Sequence, residues 1–219
     1  MPPAARPRIS LRQRLLALAG LVVIVGVTVA ILFAAGLVGN KAGGEGIEAV
    51  RLLDPPEAGG GAAVDVGPEV GKLAPDFEIS DFDGKRHRLS DFRGRPVYVN
   101  FWGTFCVPCL IELPDIYALH QRYGDELVVI AVNRREPLST ARNYFEELPR
   151  TDGGTGVSFT VNGMDPDDTL FRSFRALSMP ASFFVSPSGV ITRVRNGLMR
   201  LTDMEAAVAE ALTSSVPQS

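Results

Sequence analysis

Two cysteines occur in the chain, Cys106 and Cys109, spaced as Cys-Val-Pro-Cys. Thiols at this spacing can close a disulfide, reopen it, or share a metal ion. A disulfide-stapled scaffold needs more cysteines, set farther apart. The pair therefore has chemistry of its own or is incidental, and its setting favours chemistry. Residues 97–102, VYVNFW, read as a buried strand, and a helix is expected to start at 106–108 and run to residue 123, kinked by Pro114. A helix N-terminus carries unpaired N–H groups and about half a positive charge, which favours a thiolate. Cys106, at or just before the first turn and exposed to solvent and to that field, is the expected nucleophile. Cys109 lies on the same helix face, more buried, as the resolving thiol. Pro108 suits the first turn.

A second element is Met179-Pro180, directly before an expected strand at 181–185. Its context points to a cis bond beside the redox pair, where backbone can pair with an incoming polypeptide. Sequence does not fix the isomer.

The remaining elements must hold these residues in place. Residues 77–79 and 87–89 form a hairpin around Asp83-Gly84. Residues 127–132, without a polar residue, read as a second central strand buried on both faces. Ser139 is the expected N-cap of a helix to about Leu148. A short strand is expected at 157–161, and Asp167 or Asp168 caps a helix bearing Leu170, Phe171 and Phe174. Strands 181–185 and 190–194 flank Pro187-Ser188-Gly189. A last helix starts near Thr202, with Met204, Ala207, Val208 and Leu212 on one side. The order β-β-β-α-β-α-β-α-β-β-α gives an α/β fold, a mixed central sheet with helices on both faces.

The N-terminus sets the expected compartment. Residues 15–38, LLALAGLVVIVGVTVAILFAAGLV, lack any charge. As a helix they extend roughly 36 Å, enough to cross a hydrocarbon core of about 30 Å. Arg6, Arg8, Arg12 and Arg14 precede them, and Lys41, Glu45 and Glu48 follow. The positive-inside bias then places residues 1–14 in the cytoplasm and all beyond the span outside it. A signal peptide cleaved near Ala34-Ala35-Gly36 is the alternative, but this block exceeds the usual apolar length of a signal. Either way the domain is exported. The expected localisation is a bacterial-type cell membrane, single-pass. Residues 39–70 are counted as flexible linker, although the composition of 47–53 allows a short ordered piece. Residues 71–213 form the domain and 214–219 a tail. The net charge of −3 and the lack of a basic stretch interleaved with aromatics argue against nucleic-acid binding.

On these residues the chain resembles the TlpA/ResA-like branch of the thioredoxin superfamily. The stretch GKLAPDFEISDFDGKRHRLSDFRGRPVYVNFWGTFCVPCLIELP carries the likeness, with residues 128–133, Met179-Pro180, the Ser188-Gly189 turn and Gly197. It covers about residues 71–212. The resemblance implies a thioredoxin fold, dithiol–disulfide exchange without a bound cofactor, and a membrane anchor. It implies partners that are protein dithiols or disulfides, including a membrane electron donor or acceptor, with reduction of apocytochrome c as one such task. A monomer is expected. By the same resemblance Cys106 matches the nucleophile, Cys109 the resolving cysteine and Pro180 the cis-proline. Glu112 matches an acidic residue beside the pair, able to exchange protons with Cys109 or tune it; a solvated helix carboxylate is the competing reading. Phe105 stands where Trp is common, and Met179 where Thr, Val or Ile is commoner.

Three other readings compete. A peroxiredoxin-like peroxidase shares the LAPDF opening at 73–77, but needs a Thr three residues before its cysteine, and Thr104 is two before Cys106. A zinc site needs two more ligands, and the histidines, His87 and His120, are expected at separate surface positions. A scaffold with an inert disulfide predicts a buried, unreactive pair.

Overall fold

The computed structural model describes residues 20, 21, 23, 25–28, 49–54, 65–150 and 153–214. Most of the expected span at 15–38 lies outside them. Residues 20, 21, 23 and 25–28 are helical, and no helix among the described residues is long and apolar enough to cross a membrane.

Five apolar or aromatic residues and Asn100 make β4, Val97–Trp102, and all six are buried. Neighbouring β5 (Val128–Arg134) runs parallel to it, pairing Val97 with Val128 and Trp102 with Asn133. On the other side β7 (Ala181–Val185) is antiparallel, with Asn100 opposite Ser182 and Phe101 opposite Ala181. Outermost are β6 (Val161–Asp165), parallel to β5, and β8 (Ile191–Asn196), antiparallel to β7. The five-stranded mixed sheet has the order β6-β5-β4-β7-β8. Gly189 makes the β7–β8 turn with φ +91°, a conformation that glycine adopts without steric cost.

The two faces of the sheet have separate cores. Tyr98, Trp102, Val129, Ala131 and Phe184 face α1 (Val107–Tyr123), α2 (Leu138–Glu147) and α4 (Leu201–Thr213), which contribute Leu113, Ile116, Phe145, Met204 and Val208. Val99, Phe101, Ile130, Val132 and Phe183 face the other way, towards α3 (Thr169–Ser173) and a three-stranded antiparallel sheet. Burying each such side chain contributes about 1.5–3 kcal/mol, so the sheet is the rigid frame for whatever its ends carry.

In the three-stranded layer, β2 (Phe77–Ser80) and β3 (Arg86–Arg88) form the expected hairpin. β1 (Val50–Leu52) lies within the segment counted as linker and pairs with β2, Val50 against Ile79. The chain leading into β2 and the β2–β3 turn reach the two edges of the large sheet. Backbone of Gly71 and Lys72 bonds with Ile191 at the start of β8, while Asp81 bridges to Gly163 and Phe82 N–H bonds to Asn162 on β6.

Four sequence expectations need correction. The strand expected at 157–161 forms at Val161–Asp165 instead, because pairing with β5 outweighs the weak β propensity of Asn162, Gly163 and Asp165. Gly163 leaves room for Ile79 there: a Cβ would come 2.4 Å from Cδ1 of Ile79, which would have to shift. Ser139 is not the N-cap; Pro137 holds that place, two residues earlier than expected, and its carbonyl accepts from Thr140 and Ala141. Asp168 sits at the cap of α3 but makes no side-chain cap bond, and the buried Asp165 accepts from Leu170 and Phe171 instead. Leu212 is exposed, and Ala211 takes the buried position on α4.

Candidate active site

The carboxyl end of β4 delivers the chain into α1 through Gly103, Thr104 and Phe105. Cys106 is the N-cap, its N–H bonded to the Gly103 carbonyl at 3.1 Å. Its Sγ accepts the Cys109 N–H at 3.3 Å, one of the donors a helix start leaves free. The two cysteines are joined in a disulfide. Both cysteines are buried in this disulfide-bonded state, Cys106 at 8 % exposure and Cys109 at 1 %, so Cys106 is the less enclosed of the two but lacks the solvent exposure expected of it. Phe105, Val107 and Ile111 stand out around it at 60–66 % exposure, an uncharged apolar rim. Pro108 occupies the first turn, and Pro114 lies inside α1 without ending it.

Met179-Pro180 is a cis peptide bond. Phe101 pairs with Ala181, so Pro180 meets the end of β4 from which the cysteine loop departs. The Pro180 carbonyl accepts from Gly197 N–H at 2.7 Å, and Met179 packs against the cluster that contains both cysteines.

Glu112 follows Cys109 by three residues, one turn along the same face. It is buried, 1 % exposed, which removes the solvated-carboxylate reading. Oε1 accepts from Tyr98 at 3.0 Å and Ser182 at 3.4 Å, and Oε2 from Met199 N–H at 3.3 Å. Burial nevertheless raises its pKa to about 7, against hydrogen bonds that lower it. A carboxyl in that range holds or releases a proton near neutrality.

Tyr98, Asn100 and Ser182 complete a buried polar group beneath the helix, Tyr98 and Ser182 hydroxyls lying 2.9 Å apart. Asn100 Nδ2 donates to Ser182 at 3.3 Å and to Tyr98 at 3.4 Å. None of the three was singled out from sequence. The available signal was Tyr98 and Asn100, two residues apart in an otherwise apolar strand, where alternation puts them on one face. Also missed was Glu136, which reaches from the β5–α2 loop to Thr104 and Asn133.

Both histidines are partly buried and far apart in partnership. His87 pairs with Asp81 at 2.7 Å and His120 with Thr160 at 3.2 Å.

A thioredoxin-like sheet whose central strand leads into a helix capped by a Cys-x-x-Cys disulfide defines a thiol–disulfide oxidoreductase. Comparison with known proteins agrees. The AhpC/TSA family model matches residues 70–194, and the chain belongs to that family. It is 33 % identical over 139 residues to thiol-disulfide oxidoreductase ResA of Geobacillus thermodenitrificans, covering 62 % of this chain and 74 % of the relative. To ResA of Bacillus subtilis it is 32 % identical over 130 residues, 59 % and 68 % of the two chains. A thiol:disulfide interchange protein of the thioredoxin family from Chlorobium tepidum superposes with a TM-score of 0.54 at 25 % identity, covering 69 % of this chain and 98 % of that one. The chain is a ResA-like thiol–disulfide oxidoreductase.

Proposed function

We propose that this oxidoreductase works outside the cytoplasm, tethered by residues 15–38, and reduces disulfides in exported proteins, apocytochrome c among them. One observation carries the chemical half: Cys106 is the N-cap of α1, its Sγ accepting the Cys109 N–H, while Cys109 and Glu112 are more deeply buried on one helix face. The uncharged span, the arginines before it and the resemblance to the TlpA/ResA-like branch support the export and the direction of electron flow.

In the proposed cycle the Cys106 thiolate attacks one sulfur of a partner disulfide. A mixed disulfide forms and the partner's other sulfur leaves as thiolate. Cys109 gives its proton to the Glu112 carboxylate and attacks Cys106 Sγ. Attack on Cys106 Sγ breaks the mixed disulfide, and the partner departs as a dithiol carrying two electrons from the Cys106/Cys109 dithiol. The Cys106–Cys109 disulfide so formed is reduced again by two electrons from a membrane donor. Pro180 offers backbone to the bound polypeptide, and Phe105, Val107 and Ile111 offer apolar contact.

The test is the reduction potential of the full chain, equilibrated against glutathione buffers and followed by Trp102 fluorescence. Trp102 is buried, stacked on Phe145 at 4.4 Å, and shares a core cluster with both cysteines. A potential at the thioredoxin-like end, about −270 mV, is expected. A value near −120 mV would make the protein a disulfide donor and overturn the reductant reading.

A further inference from the structure

We infer that Glu136 is a positioning residue for the nucleophile: its side chain clamps the loop that sets Cys106 at the start of α1. The inference rests on the assignment of Cys106 as nucleophile and adds a residue to that site. Glu136 lies two residues beyond the end of β5, thirty positions along the chain from Cys106. Its Oε2 accepts the Thr104 backbone N–H at 2.8 Å and Asn133 Nδ2 at 2.7 Å, and its Oε1 accepts the Thr104 hydroxyl. Three donors thus converge on one carboxylate. Asn133 is fully buried on β5, opposite Trp102, and its Oδ1 has no hydrogen-bond partner. Its amide is therefore oriented by Glu136 alone, and it ties the carboxylate to the rigid sheet.

The consequence falls on a short piece of chain. Between the last residue of β4 and Cys106 stand only Gly103, Thr104 and Phe105, and Phe105 is largely exposed. Thr104 is the residue by which this piece is held from the side. The Cys106 N–H bond to the Gly103 carbonyl closes the turn across it. With Thr104 fixed, Cys106 keeps its Sγ where the Cys109 N–H and the helix N-terminus favour a thiolate. Releasing the clamp lets the sulfur leave that field.

Position and charge make opposite predictions. As a mere negative charge near the sulfur, Glu136 disfavours the thiolate, and removing the charge lowers the pH at which Cys106 becomes reactive. As a clamp, Glu136 favours the thiolate, and removing it raises that pH.

The experiment follows alkylation of the reduced full chain by iodoacetamide across pH, with the modified cysteine identified by mass spectrometry and thermal melting run alongside. Glu136→Gln, Glu136→Asp and Thr104→Val are compared with wild type. Both Glu136 variants are expected to move the reactive midpoint of Cys106 upward by about 0.5–1 pH unit, leaving roughly three- to tenfold less thiolate at neutral pH. Thr104→Val, which loses one arm and no charge, is expected to move it the same way by less, and it decides the matter if a Glu136 variant does not fold. A downward shift confined to Glu136→Gln, or unchanged midpoints in folded variants, would overturn the inference. Wild type separates the two assignments: a Cys106 no more reactive than Cys109 sinks the nucleophile assignment itself.

Discussion

Tyr98 donates its hydroxyl to Oε1 of Glu112 at 3.0 Å, with both groups sealed between the sheet and α1. The bond lowers the Glu112 pKa, working against the burial that raises it to about 7. Tyr98→Phe removes the bond and keeps the ring stacked on Phe184. Its Glu112 is expected to titrate above wild type, visible as a protonated-carboxyl band persisting to higher pH in infrared difference spectra. The stability loss is expected to be about 1–2 kcal/mol. A band at the wild-type position would show that the hydroxyl does not tune the carboxyl.

Glu112 also makes the oxidised fold sensitive to alkali. A carboxyl whose folded pKa lies above its ordinary 4.5 is held most stably when neutral. Its contribution is fully present below about 4.5 and is lost as pH rises through about 7. The loss is on the order of 3 kcal/mol at most. Glu112→Gln cannot ionise, so its melting temperature is expected to gain on wild type between pH 5 and pH 8. Calorimetry of both oxidised chains at those two pH values checks the sign. A constant difference between the chains would mean that Glu112 titrates as an ordinary carboxylate.

The order of attack at the disulfide is open to trapping. Cys106→Ser is expected to abolish exchange. Cys109→Ser removes the resolving sulfur and is expected to accumulate a mixed disulfide on Cys106 with a cysteine-containing peptide, seen as an added mass that reductant removes. Capture on Cys109 of the Cys106→Ser chain, at comparable yield, would reverse the assignment.

At the far end of β6, Asp165 accepts the N–H groups of Leu170 and Phe171 and so starts α3. Asp165→Ala leaves two donors without their acceptor, and unfolding in urea is expected to show a loss of about 1–2 kcal/mol. Asp167→Ala, by contrast, is expected to stay within about 0.5 kcal/mol of wild type.

How far the sequence disclosed this protein depends on the kind of signal. Strand β4 was legible to the residue and the start of helix α1 to within a residue, because a β-rich, mostly apolar run and a proline in the first turn are local features. The β7–β8 hairpin announced itself through Ser188-Gly189 for the same reason. Strand β6 was misplaced because its pairing with β5 overrides the poor β propensity of Asn162 and Gly163, and only the approach of Ile79 explains that glycine. At the site, Cys106, Cys109 and Pro180 could be picked out by motif. The burial of Glu112 could not, since it depends on β7 and the loop at Met199 closing over α1. Glu136 belonged to no motif, and its tie to Thr104, a residue of another loop, exists only in the folded chain.

The small three-stranded layer has a bearing on how this enzyme survives its own substrates. Exchange catalysts meet unfolded polypeptides, and an open sheet edge invites such chains to add as extra strands and seed aggregates. Here Gly71 and Lys72 occupy the start of the β8 edge, and Asp81 and Phe82 meet the β6 edge. Farther along β8 come Arg193 and Arg195, charges that discourage strand addition. Both flanks of the large sheet are thus in part covered or charged, the features that discourage an added strand.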